Sequence, residues 1–234
     1  MNDAILAVDA GSSSVKFGVF ALPASRDGEL ARLVHGQIEG IGVAPRFSAV
    51  GAGGETLARD DVARAATPFD HEAALSHILE WLMQRLPGQR LAAVGHRVVH
   101  GGSLFAEPVR LTASVLSKLE ALVPLAPLHQ PNGIAVIRAL GARLPDVPQI
   151  ACFDTAFHRT QPAMAQLFGL PRELSADGIR RYGFHGLSYQ YIASQLPTHL
   201  GADSDGRVIV AHLGNGASLC ALRGRRSVAS TMGF

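Results

Sequence analysis

Three groups of side chains in this sequence are able to handle phosphate or carboxylate charge. The first is Asp9-Ala10-Gly11-Ser12-Ser13-Ser14-Val15-Lys16, a Gly/Ser turn closed by a lysine. Neither G-x-x-x-x-G-K-[ST] nor G-x-G-x-x-G is present, and the residues after the turn alternate with period two rather than 3.6. The turn therefore belongs to a hairpin. A hairpin turn can aim backbone N–H groups and hydroxyls at an anion, and Gly and Ser also suit an ordinary solvated turn. From these residues alone both readings stay open. The second group is His96-Arg97, in an otherwise apolar run before Gly101-Gly102. A guanidinium there needs a partner. That partner is either a bound carboxylate or phosphate, held by the planar fork, or one of the chain's 19 acidic side chains. His96 and His100 lie four residues apart, which in a strand is about 13 Å, too far to share one metal ion.

The third group follows the apolar run Ile150-Ala151-Cys152-Phe153. Asp154 stands at its end, where ligand groups gather in α/β sheets. It can bind Mg²⁺ through water, orient a reacting group or cap the turn Thr155–His158. His158, His185 and His212 are catalytic candidates, although a lone histidine is more often a hydrogen-bonded structural residue. Tyr182-Gly183-Phe184-His185-Gly186 is the most suggestive setting, because glycines on both sides of the histidine permit close approach of a ligand.

These residues need elements to hold them. Ala4 to Val8 reads as a strand, the Gly/Ser turn follows, and Val15, Phe17 and Val19 alternate in a second strand. Gly36 to Gly54 has β-like alternation without a strong period. From Asp70, which caps the start, the apolar residues Ala74, Leu75, Ile78, Leu79, Leu82, Met83 and Leu86 fall at helical spacing until Pro87-Gly88. Leu91 to Val99 is a strand. Thr112 caps a helix with Leu116, Leu119 and Leu122 inward, and Asn132 caps another through Ile134, Ile137 and Leu140. The Pro-rich loop Pro124 to Pro131 between them carries His129. Gln149 to Phe153 is a buried strand, and Ser188 to Leu196 a helix. Arg207 to Leu213 and Ala217 to Leu222 form a second hairpin around Gly214-Asn215-Gly216. Strands with intervening helices predict an α/β fold, and two hairpins of one grammar suggest a duplicated architecture.

Composition excludes several classes. Hydrophobic residues make up 47% and charged residues 17% of the 234, which describes a core-forming chain rather than a disordered one. A net charge of +2 without basic blocks marks neither a nucleic-acid nor a membrane-surface protein. Cys152 and Cys220, each in an apolar run, read as buried small hydrophobes rather than a disulfide or zinc framework. Met1-Asn2-Asp3 opens no leader sequence, and no apolar run is long enough to span a bilayer, which predicts a cytoplasmic protein.

In order along the chain, Asp9–Phe17, Gly95–Gly102, Pro127–Asn132 (Pro-Leu-His-Gln-Pro-Asn), Phe153–His158, Arg180–Gly186 and His212–Ser218 resemble the motifs of the acetate kinase family. That family sits within the sugar kinase, Hsp70 and actin-like superfamily. The resemblance implies a duplicated actin-like, ribonuclease H-like α/β fold, with an amino-terminal lobe over 1–154 and the start of a nucleotide-binding lobe over 155–234. It implies phosphoryl transfer between ATP and acetate, with Mg²⁺ or Mn²⁺, in a homodimer. Lys16, with Ser12 and Ser14, and the loop His212, Leu213, Gly214, Asn215 and Gly216 would face ATP. Arg97 would hold the substrate carboxylate, with His129 nearby in the active site. Asp154 would be the catalytic carboxylate and His185 would stabilise the transferring phosphoryl group. Asp9 stands where the family usually has Asn, at a position implicated in the metal site. Ala229 replaces a common Asp, and Tyr189 a frequent His. Family members continue well past Phe234, so the second lobe is expected to be incomplete, and the 234 residues alone to be inactive. Propionate or butyrate kinase is the nearest alternative, and a non-catalytic ligand-binding remnant the other.

Overall fold

A computed structural model describes residues 2–23, 28, 30–62 and 69–233. Among them the elements run β1 (Asn2–Ala10), β2 (Ser14–Ala21), β3 (Ala31–Glu39), β4 (Arg46–Gly51), β5 (Thr56–Asp61), α1 (His71–Arg85), β6 (Gln89–Val98) and β7 (Val109–Arg110). There follow α2 (Ala113–Ala121), α3 (Gln130–Arg143), β8 (Gln149–Phe153), α4 (Arg172–Ala176), α5 (Gly186–Leu200), β9 (Arg207–Leu213), β10 (Ala217–Arg223) and β11 (Arg226–Ser230). The α/β expectation holds. The chain divides into two compact units, one of Met1–Val98 with Val109–Ala151 and one of Val99–Pro108 with Cys152–Phe234.

The first unit is built on a mixed sheet in the order β5-β4-β3-β2-β1-β6-β8-β7. β1 and β2 form the expected antiparallel hairpin, while β1 and β6 run parallel, with α1 in the connection between them. The Gly36 to Gly54 stretch resolves into β3 and β4. Its weak period follows from partial cover: only Val34 and Ile38 of β3 are buried. Side-chain alternation decides what each face of β1 does. Ala4, Leu6, Val8 and Ala10 enter a core shared with Ala74, Leu75, Ile78, Leu79 and Leu82 of α1 and Val136 and Leu140 of α3. Asp9 therefore lies on the opposite face.

Asp70 caps α1 as expected, accepting from the Ala73 N–H at 2.9 Å. Met83, placed inward by spacing, is 78% exposed. It follows Leu82 by 100° around the helix, outside the stripe that faces the sheet. Thr112 caps α2, where Leu119 is fully buried and Leu116 and Leu122 only partly so. Asn132 does not cap α3. That helix begins earlier, at Gln130, with His129 as the residue before it and Pro131 in its first turn, a position proline favours.

In the second unit β9, β10 and β11 form an antiparallel meander in the order β11-β10-β9. This is the β3-β2-β1 arrangement of the first unit over again, as the two similar hairpins suggested. Tyr189, Ala193 and Leu196 of α5 pack with Cys220 and Leu222 of β10. The other face of β9 leaves Ile209 and Leu213 at 74% and 81% exposure. Cys220 is buried as expected, but Cys152 is only partly buried, and burial raises the pKa of both thiols. No helix among the described residues is long and apolar enough to cross a membrane.

Candidate functional site

In the first unit the chemistry collects at the end of β1. Strand register puts Asp9 opposite Lys16 of β2 on one side and Arg97 of β6 on the other. Directly paired residues point to the same face, so an acid and two cations share the face that the core leaves uncovered. Arg97 Nη1 donates to Asp9 Oδ1 at 2.9 Å, and each side chain keeps 32% of its exposure. Of the two partners open to Arg97, the internal carboxylate is thus present in the folded chain. Asp9 meets it through one oxygen only.

The adjoining turn is held by backbone and by α1. The Gly11 N–H donates to the Ser14 carbonyl at 2.8 Å, the Ile41 N–H to the Ser13 carbonyl at 3.0 Å, and the His71 ring to the Gly11 carbonyl at 2.7 Å. Ser12 and Ser13 stay exposed and Ser14 partly so. The helix-start His71 was not visible as a turn support in the sequence, being 60 residues away. His129 is exposed at the start of α3, its backbone N–H donating to the Ala126 carbonyl at 3.1 Å and its carbonyl accepting from the Gly133 N–H at 3.3 Å.

His96 sits on the core face of β6, 3% exposed, against Gln149. Burial holds its pKa at about 4, with the Gln149 contact opposing. It is a neutral structural histidine.

In the second unit Asp154 is buried just beyond β8. Its carbonyl accepts the N–H of Gly186 at 2.9 Å, and the 3-10 turn that follows has Thr155 rather than Asp154 at its cap position. The glycines around His185 do serve close approach, but of the chain to itself. A Cβ on Gly183, whose φ is +80°, would come within 2.6 Å of the His158 ring, and one on Gly186 would collide with the Asp154 carbonyl. His158 is structural as well: its Nε2–H donates to the Phe184 carbonyl at 2.9 Å and its Nδ1 lies 2.8 Å from Ser227 Oγ. Burial lowers its pKa, partly offset by the Phe184 carbonyl and the charge of Asp154. His100, also buried, has its pKa lowered to about 4 by desolvation, and its Nδ1 accepts from the Gly102 N–H.

His185 is different. It precedes α5, which starts at Gly186 rather than Ser188, in the left-handed conformation at φ 59°, ψ 22°. A non-glycine residue held there stores strain of a kind that clusters at working sites. Its ring stacks on that of His212, with centroids 4.0 Å apart, and its Nδ1 lies 2.8 Å from Ser218 Oγ, which also meets the Tyr189 hydroxyl at 2.5 Å. His212 Nδ1 is 3.1 Å from Ser188 Oγ. Beyond His212, Leu213, Gly214, Asn215 and Gly216 form an exposed turn, closed by the Gly214 N–H on the Gly216 carbonyl at 3.3 Å. The hydroxyls of Ser218, Tyr189 and Ser188 escaped notice as site components, although Ser218 follows the turn closely and Tyr189 falls one helical turn after His185.

The structure thus assembles Asp9, Lys16 and Arg97 with Ser12 and Ser14 in one unit, and Asp154, His185, His212 and the 213–216 turn in the other. Among the described residues no cluster of three or more His, Cys, Asp or Glu offers a metal site made of protein ligands alone.

Comparison with known proteins covers both groups. The acetate kinase of Nitrobacter hamburgensis is 52% identical over 232 residues, 99% of this chain and 56% of that protein. That of Rhizobium meliloti is 49% identical over 98% of this chain and 57% of its own length. Among solved structures, a propionate kinase from Francisella tularensis superposes with a TM-score of 0.84 at 34% identity, over 99% of this chain and 57% of that one. Porphyromonas gingivalis acetate kinase gives 0.80 at 34% identity, with the same coverage. The fold is therefore the actin-like ATPase fold of these kinases, and the chain spans somewhat over half the length of the curated relatives it matches. The acetokinase family model matches residues 4–234, and the chain belongs to that family.

Proposed function

We propose that the protein carrying this chain is an acetate kinase, which transfers the terminal phosphoryl group of ATP reversibly to acetate and yields acetyl phosphate and ADP. The observation that carries this reading is the cross-strand row Lys16–Asp9–Arg97 on the uncovered face at the end of β1, beside a turn of exposed serines. It supplies cations for a polyphosphate and a carboxylate where backbone amides and hydroxyls also gather.

A carboxylate is already a nucleophile, so catalysis consists mainly of in-line positioning and of neutralising charge on the equatorial oxygens. Lys16, Ser12 and Ser14 hold ATP phosphate, together with the loop His212, Leu213, Gly214, Asn215 and Gly216. Arg97 orients the acetate carboxylate, with His129 as a further active-site residue. His185 donates to the transferring phosphoryl group, and Asp154 is the catalytic carboxylate. A divalent cation, Mg²⁺ or Mn²⁺, fits a site of few protein ligands, because such ions keep waters and take substrate phosphates as ligands. Asp9 offers one oxygen for it, since Arg97 engages only Oδ1. When bound, the ion neutralises phosphate charge. The working form is a cytoplasmic homodimer.

The test is hydroxylamine trapping of acyl phosphate by the protein with ATP and Mg²⁺. Hydroxamate from acetate supports the proposal, and a strong preference for propionate or butyrate moves it to a propionate or a butyrate kinase respectively. No hydroxamate from any of the three overturns it.

A further inference from the structure

We infer that Tyr189 and Ser218 are positioning residues that fix His185 as the tautomer protonated on Nε2, through a directed chain of hydrogen bonds from Tyr189 O–H to Ser218 Oγ and from Ser218 O–H to His185 Nδ1. The functional consequence rests on the phosphoryl-facing role proposed for His185. The tautomer itself does not.

Counting protons gives the direction. Tyr189 is fully buried, and its hydroxyl lies 2.5 Å from Ser218 Oγ. Burial raises its pKa, with the Ser218 contact and a hydrogen bond at the His212 backbone opposing, so the phenol keeps its proton at neutral pH. That proton needs an acceptor, because an unmade hydrogen bond at a buried group is costly. Among the described residues Ser218 Oγ is the side-chain oxygen within reach. Ser218, 4% exposed, has one proton of its own and two neighbours, Tyr189 and His185 Nδ1 at 2.8 Å. If Ser218 donated to Tyr189 instead, two hydroxyl protons would compete for one contact and one would be stranded. With Tyr189 donating, the serine proton is directed to Nδ1, which must then be the unprotonated nitrogen. A neutral imidazole carries its remaining proton on Nε2.

Nε2 is the nitrogen turned towards the Gly214–Gly216 loop: a Cβ placed on Gly216 would stand 3.1 Å from it. The stack on His212 fixes the ring plane and the left-handed backbone of His185 fixes its origin. The hydroxyl chain adds what these two leave open, namely which nitrogen donates. A donor aimed at developing charge is useful only if its proton is on the right atom, and orienting partners of catalytic imidazoles act in this way. Protonating Nδ1 would require both hydroxyls to reverse, so the chain also favours the neutral ring.

Long-range ¹H–¹⁵N spectra of the ¹⁵N-labelled protein test the assignment, with the His185 signals identified by their loss in His185→Gln. The expected pattern is a protonated, pyrrole-like Nε2 and an unprotonated, pyridine-like Nδ1. In Tyr189→Phe, which keeps the buried ring, the two nitrogen resonances should move towards each other as both tautomers become populated. Ser218→Ala should do the same, and stands in if the first variant fails to fold. A protonated Nδ1 in the parent protein, or an unchanged His185 pattern in the folded variants, overturns the inference. In the hydroxamate assay Tyr189→Phe should lower kcat about tenfold or more, with the KM for ATP little changed. Shifted tautomers with unaltered kcat would retain the hydrogen-bond chain and remove its link to transfer, and with it the phosphoryl-facing role of His185.

Discussion

Replacing Arg97 by alanine separates two roles that the structure allows one guanidinium to play. As a structural residue, Arg97 pairs with Asp9 at 2.9 Å, and both side chains are 32% exposed. Water reaches such a pair, so its coupling should be small, about 0.2–1 kcal/mol in a double-mutant cycle. For a chain of 234 residues a loss of about 1 kcal/mol lowers Tm by roughly 2–4 °C. As a carboxylate clamp, Arg97 acts on charge that must be held in line for attack. Losing one such donor costs on the order of 10² to 10³ in rate, about 2.7–4 kcal/mol. The ligand role is therefore worth several times the internal pair, and the two are distinguishable by magnitude.

The measurement is kcat/KM for acetate and for ATP in the protein, with thermal unfolding of Arg97→Ala, Asp9→Asn and the double variant alongside. Asp9→Asn keeps an oxygen acceptor for Arg97 while removing the charge. We expect Arg97→Ala to lose about 10² or more in kcat/KM for acetate, to change the KM for ATP little, and to lose only a few degrees in Tm. Acetate kinetics changed by less than about threefold, together with a stability loss, would refute the clamp and leave Arg97 as the ion-pair partner of Asp9.

Other perturbations follow from single contacts. Gly186→Ala should cost about 1–3 kcal/mol in urea unfolding, because the new Cβ meets the Asp154 carbonyl, which is fixed backbone; wild-type stability would show that this turn can yield. Asp70→Ala should cost about 1 kcal/mol by freeing the Ala73 N–H, and Asp70→Ser should restore most of it. Stability should also fall in acid. Burial sets the pKa of His96 and His100 at about 4, below the 6.5 of an unfolded chain. Between those values the unfolded chain binds more protons, so this contribution is fully present above about pH 6.5 and is lost as pH falls towards about 4. With both groups titrating, the slope approaches about 2.7 kcal/mol per pH unit. Urea midpoints that stay flat across that window would show that the two imidazoles are accessible.

Elements whose signal is local were legible in the sequence. Asp70 and Thr112 cap helices because a side-chain oxygen three residues before an N–H needs nothing from the rest of the fold. Both hairpins were legible for the same reason. Asn132 misled because Pro131 and Asn132 are each plausible at a helix start, and only the loop geometry before Gln130 decides between them. Met83 misled because helical spacing gives a stripe without its edges. The glycines beside His185 show a further limit: sequence reveals that something passes close by but not what, and here it is Asp154 and His158 of the same unit.

The row Lys16–Asp9–Arg97 was legible as three candidates but not as one object, since Arg97 lies 88 positions after Asp9. What joins them is register. β1 is buried at Ala4, Leu6, Val8 and Ala10, so the odd positions are committed to the other face, and the parallel pairing of Val8 with His96 commits Arg97 to the same face as Asp9. A slip of one residue in β6 would turn Arg97 into the core and bring the buried His96 outward, exchanging a neutral ring held against Gln149 for a guanidinium. That exchange would desolvate a charge with no compensating carboxylate, a penalty of several kcal/mol. The core, rather than the ion pair, therefore sets the register, and the charged row is its consequence. It follows that Asp9→Asn, which leaves every apolar contact intact, should retain the β1–β6 pairing. Amide hydrogen exchange in β6 would check this, and lost protection there would give the ion pair a structural weight that its exposure does not suggest.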